Sequence, residues 1–130
     1  MFGTPGKAAY CYTKVAGYED ARAKLVCWTP NDGWWVSIEW NGKRPRTGVS
    51  DTFPQVVHGV TKLKGYKPAA RVLEFGRHWR LRCDNPGNYA TCKRSGVTAF
   101  TCASLRTGLT CRNAVGHGFW IGRFRGYRLF

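Results

Sequence analysis

The chain has 130 residues, enough for one domain, and 15% of them are aromatic, which excludes a disordered chain. It carries 21 lysines and arginines against 7 aspartates and glutamates, and no acidic residue follows Asp84. No apolar run approaches the roughly 18 residues of a membrane helix, so no transmembrane segment is expected. The charge favours polyanionic partners such as nucleic acid, acidic glycan, wall polymer or lipid head groups, or it serves only to keep a small exported protein soluble.

Six cysteines form an even number, and none of them lies in a C-x-x-C pair. That spacing disfavours a zinc or redox site and predicts disulfides, which persist outside the reducing cytosol. We therefore expect a secreted or cell-surface protein. The chain begins Met1-Phe2-Gly3 without an apolar signal segment, so we expect that a targeting segment has been removed.

Two short runs of aromatic and β-branched residues, 7–13 and 24–28, flank a turn-forming segment and predict a hairpin. Cys11 and Cys27 would then lie opposite each other, at a separation that suits a disulfide. Residues 34–40 are the most strand-like stretch of the chain. Its inward residues, expected to be core, are Trp34, Val36, Ile38 and Trp40.

Trp35 lies on the opposite face of that strand and is the aromatic residue that we expect to be most exposed. Residues 41–54 are rich in glycine, proline, lysine and arginine and predict an exposed loop without regular structure. Residues 55–63 fit a strand and a short helical turn equally badly. Residues 69–75 predict a strand that ends at Gly76.

Residues 78–83 predict a strand with alternating faces. Its inward residues are Trp79, Leu81 and Cys83, and its outward residues are Arg80 and Arg82. The turn at Pro86-Gly87 would bring Cys83 and Cys92 together, and a turn at 105–108 would do the same for Cys102 and Cys111. Adjacent pairing is the connectivity that local turns make easiest, and other pairings stay open. Residues 119–125 and 127–130 predict the last two strands.

Segments 4–38 and 95–123 form a weak internal repeat within a single β-rich domain that spans 1–130. In each, an aromatic residue stands shortly before a cysteine, and a second cysteine is followed by glycine and an aromatic pair. No helix of ten or more periodic residues is apparent. The sequence therefore predicts an all-β, single-domain barrel or sandwich built from disulfide-bridged hairpins.

The motifs Gly108-Leu109-Thr110-Cys111-Arg112-Asn113, Gly116-His117-Gly118-Phe119 and Tyr127-Arg128-Leu129-Phe130 resemble an uncharacterised family of small exported actinobacterial proteins. The resemblance implies secretion, disulfides and a compact β-rich domain, and it brings no catalytic residues. Residues 41–68 lie outside it. The chain departs from the family pattern at Gly122, where members usually have serine, and in the inserted hairpin around Cys83 and Cys92.

Aromatic residues interleaved with cations predict a binding surface, because sugars and bases stack on such rings while arginines hold phosphate or carboxylate. The predicted binding residues are Trp35, Arg77, Arg80, His117, Arg123, Arg125 and Arg128. We expect a secreted, non-catalytic domain that binds an anionic polymer or a cell-envelope glycan. The anionic polymer would be a glycan, a wall polymer or a nucleic acid. No cofactor and no metal are expected, since the three histidines have no ligand spacing.

Two alternatives stay open. A secreted ribonuclease-like toxin needs a general base, a general acid and a cationic phosphate clamp, and the candidate catalytic residues are His117, His78 and Glu74. Against it, His117 between two glycines is more often a turn histidine, and no hydrolase or nucleotide-binding motif occurs. The other alternative is an envelope protein that associates with itself through exposed aromatic residues. The salt dependence separates the two hypotheses that involve a polyanion from self-association, because polyanion binding weakens steeply with salt and an apolar interface does not.

Overall fold

The computed structural model describes residues 2–5, 9–14, 23–29, 33–49, 72–84, 91–93, 96–124 and 126–130, with the backbone alone for 14 and 91–93. Two antiparallel sheets enclose one hydrophobic core. The five-stranded sheet consists, in spatial order, of β1 (Phe2–Gly3), β2 (Tyr10–Lys14), β3 (Lys24–Thr29), β4 (Trp34–Glu39) and β5 (Arg46–Val49).

The six-stranded sheet consists of β6 (His78–Asp84), β7 (Thr91–Lys93), β8 (Val97–Leu105), β9 (Gly108–Asn113), β10 (Gly118–Gly122) and β11 (Tyr127–Leu129). Its spatial order is β11-β10-β9-β8-β6-β7. The all-β class is confirmed, and the architecture is a sandwich of two sheets. Among the described residues, no helix has the length and apolar character needed to cross a membrane.

Strand alternation places the predicted inward residues in the core. Val36 and Ile38 of β4 are buried, and the flanking Trp34 and Trp40 pack against the core. On β6, Trp79 and Leu81 pack against the core and Cys83 is fully buried, whereas the arginines between them are exposed. Each sheet buries its apolar face only by packing against the other sheet. The two sheets therefore form together.

Two disulfides lie inside the core, each between directly paired residues of a hairpin. Cys11 of β2 bonds Cys27 of β3, and Cys102 of β8 bonds Cys111 of β9; in both, the Cα atoms are 4.1 Å apart. These are the pairings that the hairpins predict. Cys83 is also disulfide-bonded and lies opposite Cys92 in the register of β6 and β7; the side chain of Cys92 lies outside the described residues.

The two repeat-like segments have the same arrangement of strands. Each folds as a three-stranded meander, β2-β3-β4 or β8-β9-β10, with a disulfide between its first two strands. The aligned residues Trp35 and Trp120 both lie on the outer face of their sheets, each against a glycine of the next strand, Gly48 and Gly108. At Gly108 a Cβ would also collide with the carbonyl oxygen of Ile121, so the β9–β10 pairing requires glycine there.

Two predictions about secondary structure are wrong. The segment 41–54 is not all loop, because β5 pairs with β4 as the edge strand of its sheet. The described part of 69–75 is not a strand: Val72 makes a single parallel bridge to Gly3, and Leu73 donates a backbone hydrogen bond to the Gly3 carbonyl (2.8 Å). Segment 72–77 therefore connects the two sheets instead of adding to either. The ambiguous stretch 55–63 lies outside the described residues.

Contacts at both edges of the sandwich hold the sheets in place. The rings of Phe2 in β1 and Trp79 in β6 are 5.1 Å apart, and those of Trp34 in β4 and Tyr127 in β11 stack at 4.3 Å. A hydrogen-bond hub at Asn113 joins the turn after β4 to the turn after β9. These contacts fix the inner face of the six-stranded sheet against the five-stranded sheet. Its outer face is directed away from the core.

Candidate functional site

The outer face of the six-stranded sheet follows from the position of the core disulfide. Cys102 and Cys111 point inward, so the residues on either side of them in the strand point outward. Arg112 therefore points outward on β9, where it pairs with Thr101 of β8, and Thr101 pairs in turn with Arg80 of β6. The two arginines share one row across three strands, with Cα atoms about 10 Å apart.

A second row crosses the same face. His78 at the start of β6 pairs with Ala103, which pairs with Thr110 of β9. Thr110 pairs with Trp120 of β10, and Trp120 pairs with Arg128 of β11. Arg82 lies outward on β6 beyond Arg80. We call this surface the arginine face; its residues are His78, Arg80, Arg82, Arg112, Trp120, Arg128 and Phe130.

Two guanidinium groups of the arginine face lie over aromatic rings. The Cζ atom of Arg128 is 5.2 Å from the ring centre of Trp120, and that of Arg112 is 5.8 Å from the ring centre of Phe130. A guanidinium held over a ring keeps its N–H donors at its edges, where they can hydrogen-bond to an anion. In each pair the guanidinium therefore covers part of the ring face and directs its N–H donors toward solvent.

The positive charge of the arginine face is not neutralised by carboxylates. Strands β8 to β11 contain no acidic residue, and β6 has only Asp84, at its end. In the described ranges, no arginine of this face lies within ion-pair distance of a carboxylate; the ion pair seen there joins Lys24 and Glu39 of the other sheet at 4.0 Å. The face therefore has a net attraction for anions.

The outer face of the five-stranded sheet has a different character. Tyr10, Trp28 and Trp35 lie in one row across β2, β3 and β4, and Trp35 covers Gly48 of β5. Val26 in the adjoining row is 0% exposed, and burial raises the pKa of the Tyr10 phenol. Trp35 itself is half-buried. This face is an apolar, covered surface, and Trp35 is not the exposed stacking residue that alternation predicted.

The structure brings some of the predicted site residues together and separates others. Arg80 and Arg128 belong to the arginine face. Arg77 precedes β6, Arg123 follows β10 near Phe75, and Arg125 lies outside the described residues. The predicted binding set is therefore distributed over several surfaces rather than gathered at one.

His117 lies in the turn between β9 and β10, at the end of the sheet away from His78. Its backbone N–H donates to the side-chain oxygen of Asn113 (2.9 Å), and its carbonyl accepts from the Asn113 N–H (2.8 Å). These bonds fix the turn through the His117 backbone and do not involve its imidazole. His117 does not share a cleft with His78 and Glu74.

A groove of about 280 Å³ lies where the edges of the two sheets meet, beside β1 and the start of β6. Glu74, Arg77 and His78 line it together with Phe2 and Trp79. It thus gathers a carboxylate, a cation and an imidazole, three of the side chains named from the sequence. Among the described residues, no three histidine, cysteine or carboxylate side chains form a cluster that could hold a metal ion.

Arg112 and Arg82 belong to the arginine face but were absent from the predicted binding set, although the sequence contains a signal for their outward position. Each stands next to a cysteine, Arg112 after Cys111 and Arg82 before Cys83, and a cysteine in a core disulfide forces its strand neighbours outward.

No family model matches the chain, and no curated protein and no solved structure matches it either. The resemblance to small exported actinobacterial proteins stays a prediction.

Proposed function

We propose that the protein is an exported, non-catalytic domain that binds an anionic polymer through the arginine face. The observation that supports this function best is the set of exposed guanidinium groups that two adjacent rows on β6, β9 and β11 bring to one face, beside Trp120 and Phe130 and, among the described residues, without carboxylate partners. A polymer with repeated negative charges contacts several arginines at once, so individually weak contacts add up. Disulfides indicate an oxidising compartment, which agrees with export.

The shape of the surface favours an extended single chain. A sheet face contacts a polymer along its length, so the cations on it can hold successive charges of an extended backbone. Arg80 and Arg112, about 10 Å apart in one row, would contact charges separated by more than one repeat unit of a nucleic acid or polyol phosphate. The covered face of the five-stranded sheet offers no comparable surface.

Binding of a fluorescein-labelled single-stranded oligonucleotide and of labelled polyglycerol phosphate tests the proposal by anisotropy. We expect affinity to fall about 20-fold or more between 50 and 200 mM salt, because at least three arginines displace counterions. The triple variant Arg80→Gln, Arg112→Gln, Arg128→Gln should lower the slope of log K against log salt by about 2.

The turn after β4 provides a control with the same loss of charge. Lys43, Arg44 and Arg46 are exposed on the other sheet, so their triple glutamine variant changes the net charge equally. We expect its salt slope to stay near that of the unmodified protein. Equal losses in both triple variants would mean that overall charge, and not the arginine face, governs binding. Association that does not weaken with salt would instead indicate binding through the exposed apolar residues of β11.

A ribonuclease-like activity is the second candidate, and the groove with Glu74, Arg77 and His78 is the observation that favours it. Phosphodiester cleavage without a metal uses a base to activate the 2′-hydroxyl, an acid to protonate the leaving oxygen and a cation near the phosphate. Glu74 and His78 would be the acid–base pair, and Arg77 the cation.

Incubation with labelled single-stranded RNA decides between the candidates. If the groove is catalytic, His78→Ala and Glu74→Gln should each lower the cleavage rate about 100-fold or more, as loss of a general acid or base does. His117→Ala is the matched histidine control and should cleave normally. Absence of cleavage by the unmodified protein would remove this second candidate and leave polymer binding unaffected.

A further inference from the structure

Two arginines converge on one aromatic ring at the end of the sandwich opposite His117. Arg106 lies in the turn between β8 and β9, and Arg123 directly follows β10. Their Cζ atoms are 5.9 Å and 4.9 Å from the ring centre of Phe75. Because both distances are measured to one ring, the two guanidinium carbons are no farther apart than the sum of these values.

Backbone hydrogen bonds hold the three loops that carry these residues. Arg123 N–H donates to the Thr107 carbonyl (3.0 Å), which ties the end of β10 to the β8–β9 turn. Gly76 N–H donates to the Ser104 carbonyl (2.7 Å), which ties the loop of Phe75 to β8. The fold therefore fixes the backbone positions of Arg106, Arg123 and Phe75 before any ligand is present, which lowers the entropy cost of binding.

The charge of this cluster is uncompensated. In the part of the chain that the structure describes, neither Arg106 nor Arg123 has a carboxylate within ion-pair distance. Glu74 precedes Phe75 in the chain, but it lines the groove beside His78. Two cations that share one ring repel each other, and an anion between their donor edges would convert this repulsion into attraction.

An exposed ring adjoins the cluster. Phe124 is 85% exposed, and the Cζ atom of Arg123 is 5.2 Å from its ring centre. The cavity beneath Phe75 and Arg123 measures only about 10 Å³, room for no more than one water, so a ligand would lie on the surface between the loops. We propose that Arg106 and Arg123 bind the phosphate group of a phosphate monoester whose planar substituent stacks on Phe124.

Charge matching favours a monoester over other anions. A phosphate monoester carries about −1.5 to −2 at neutral pH, close to the charge of two guanidinium groups, whereas a carboxylate or a phosphodiester carries about −1. Each guanidinium presents a planar fork of donors that fits phosphate oxygens bidentately. The site uses none of the residues of the arginine face, so it goes beyond the proposed polymer binding and does not depend on it.

Titration with phenyl phosphate and with inorganic phosphate, followed by amide chemical shifts, tests the site. We expect shifts centred on residues 105–108 and 122–124, with phenyl phosphate binding more tightly than inorganic phosphate. Arg106→Gln and Arg123→Gln should each weaken binding of both probes about 10-fold or more, as loss of a charged hydrogen-bond donor does. Phe124→Ala should remove only the advantage of phenyl phosphate.

Arg44→Gln is the matched control, because Arg44 is an exposed arginine in a turn of the other sheet. It should leave both affinities unchanged, and thermal melts should show that all four variants are folded. The proposal is overturned if neither probe shifts these amides, if Arg106→Gln and Arg123→Gln bind as well as the unmodified protein, or if Arg44→Gln loses affinity to the same extent. Intact binding in the glutamine triple variant of the arginine face separates this site from the polymer surface.

Discussion

Complete reduction of the disulfides should lower the free energy of unfolding by at least about 6 kcal/mol, a large share of the stability of a domain of this size. The bridges Cys11–Cys27 and Cys102–Cys111 join residues 16 and 9 positions apart, and closing loops of these lengths contributes about 3 kcal/mol each in the chain-entropy model. Domains of this size have a total stability of roughly 5 to 15 kcal/mol. Denaturant titrations followed by tryptophan fluorescence, with and without reductant, measure the loss.

Paired alanine variants separate the two bridges. Cys11→Ala with Cys27→Ala, and Cys102→Ala with Cys111→Ala, should each lose about 3 kcal/mol, with a higher m-value because the unfolded state without the bridge is more expanded. All four cysteines are fully buried, so the folded protein should be reduced only as fast as it opens. A denaturation midpoint unchanged by complete reduction would show that the core alone holds the sheets together.

The sequence predicted the hairpins well because each depends on local information. A turn signal, period-two alternation and a pair of cysteines all point to the same register, so β2 with β3 and β8 with β9 could be placed before the structure was known. The same logic predicted that Arg80 and Arg82 point outward on β6. Each of these inferences needs only a few neighbouring residues.

The missed elements depend on distant partners. In β5, Arg46-Thr47-Gly48-Val49 lacks apolar alternation because the strand is at the sheet edge and its contribution is a glycine that Trp35 covers. β1 has two residues and is held by its pairing with β2 and by the bridge from Gly3 to Val72. Residues 72–75 have strand-like composition, yet the chain needs that segment to cross from one sheet to the other.

Prediction of the arginine face requires both local sequence signals and the pairing of distant strands. That Arg112 points outward could have been read from the adjacent Cys111, but its position two strands from Arg80 required the order of the sheet. β8 pairs with β6 and not with β7, the strand that precedes it in the chain, so the strand order departs from a simple meander and leaves no local signal. The predicted binding set thus already contained Arg80 and Arg128, whereas the grouping of these two with Arg82 and Arg112 on one face follows only from the strand order.

Asn113→Ala should lower the free energy of unfolding by about 3 kcal/mol and the melting temperature by roughly 10 °C. The Asn113 amide donates to the carbonyls of Glu39 (3.0 Å) and Gly42 (2.7 Å), and its oxygen accepts from the N–H groups of Val115 (3.2 Å) and His117 (2.9 Å). Alanine removes all four hydrogen bonds and leaves partly buried backbone groups without partners, which costs more than the bonds themselves contribute.

Asn41→Ala is the control, since Asn41 is an exposed asparagine in the neighbouring turn, and it should change stability by less than about 0.5 kcal/mol. Because Asn113 spans the two sheets, its loss should also increase amide hydrogen exchange in both turns that it joins, around residues 39–42 and 114–117. Faster amide exchange confined to the β9–β10 turn would contradict the role of Asn113 as a link between the sheets. Equal stability of the two alanine variants would show that water replaces the side chain at no cost.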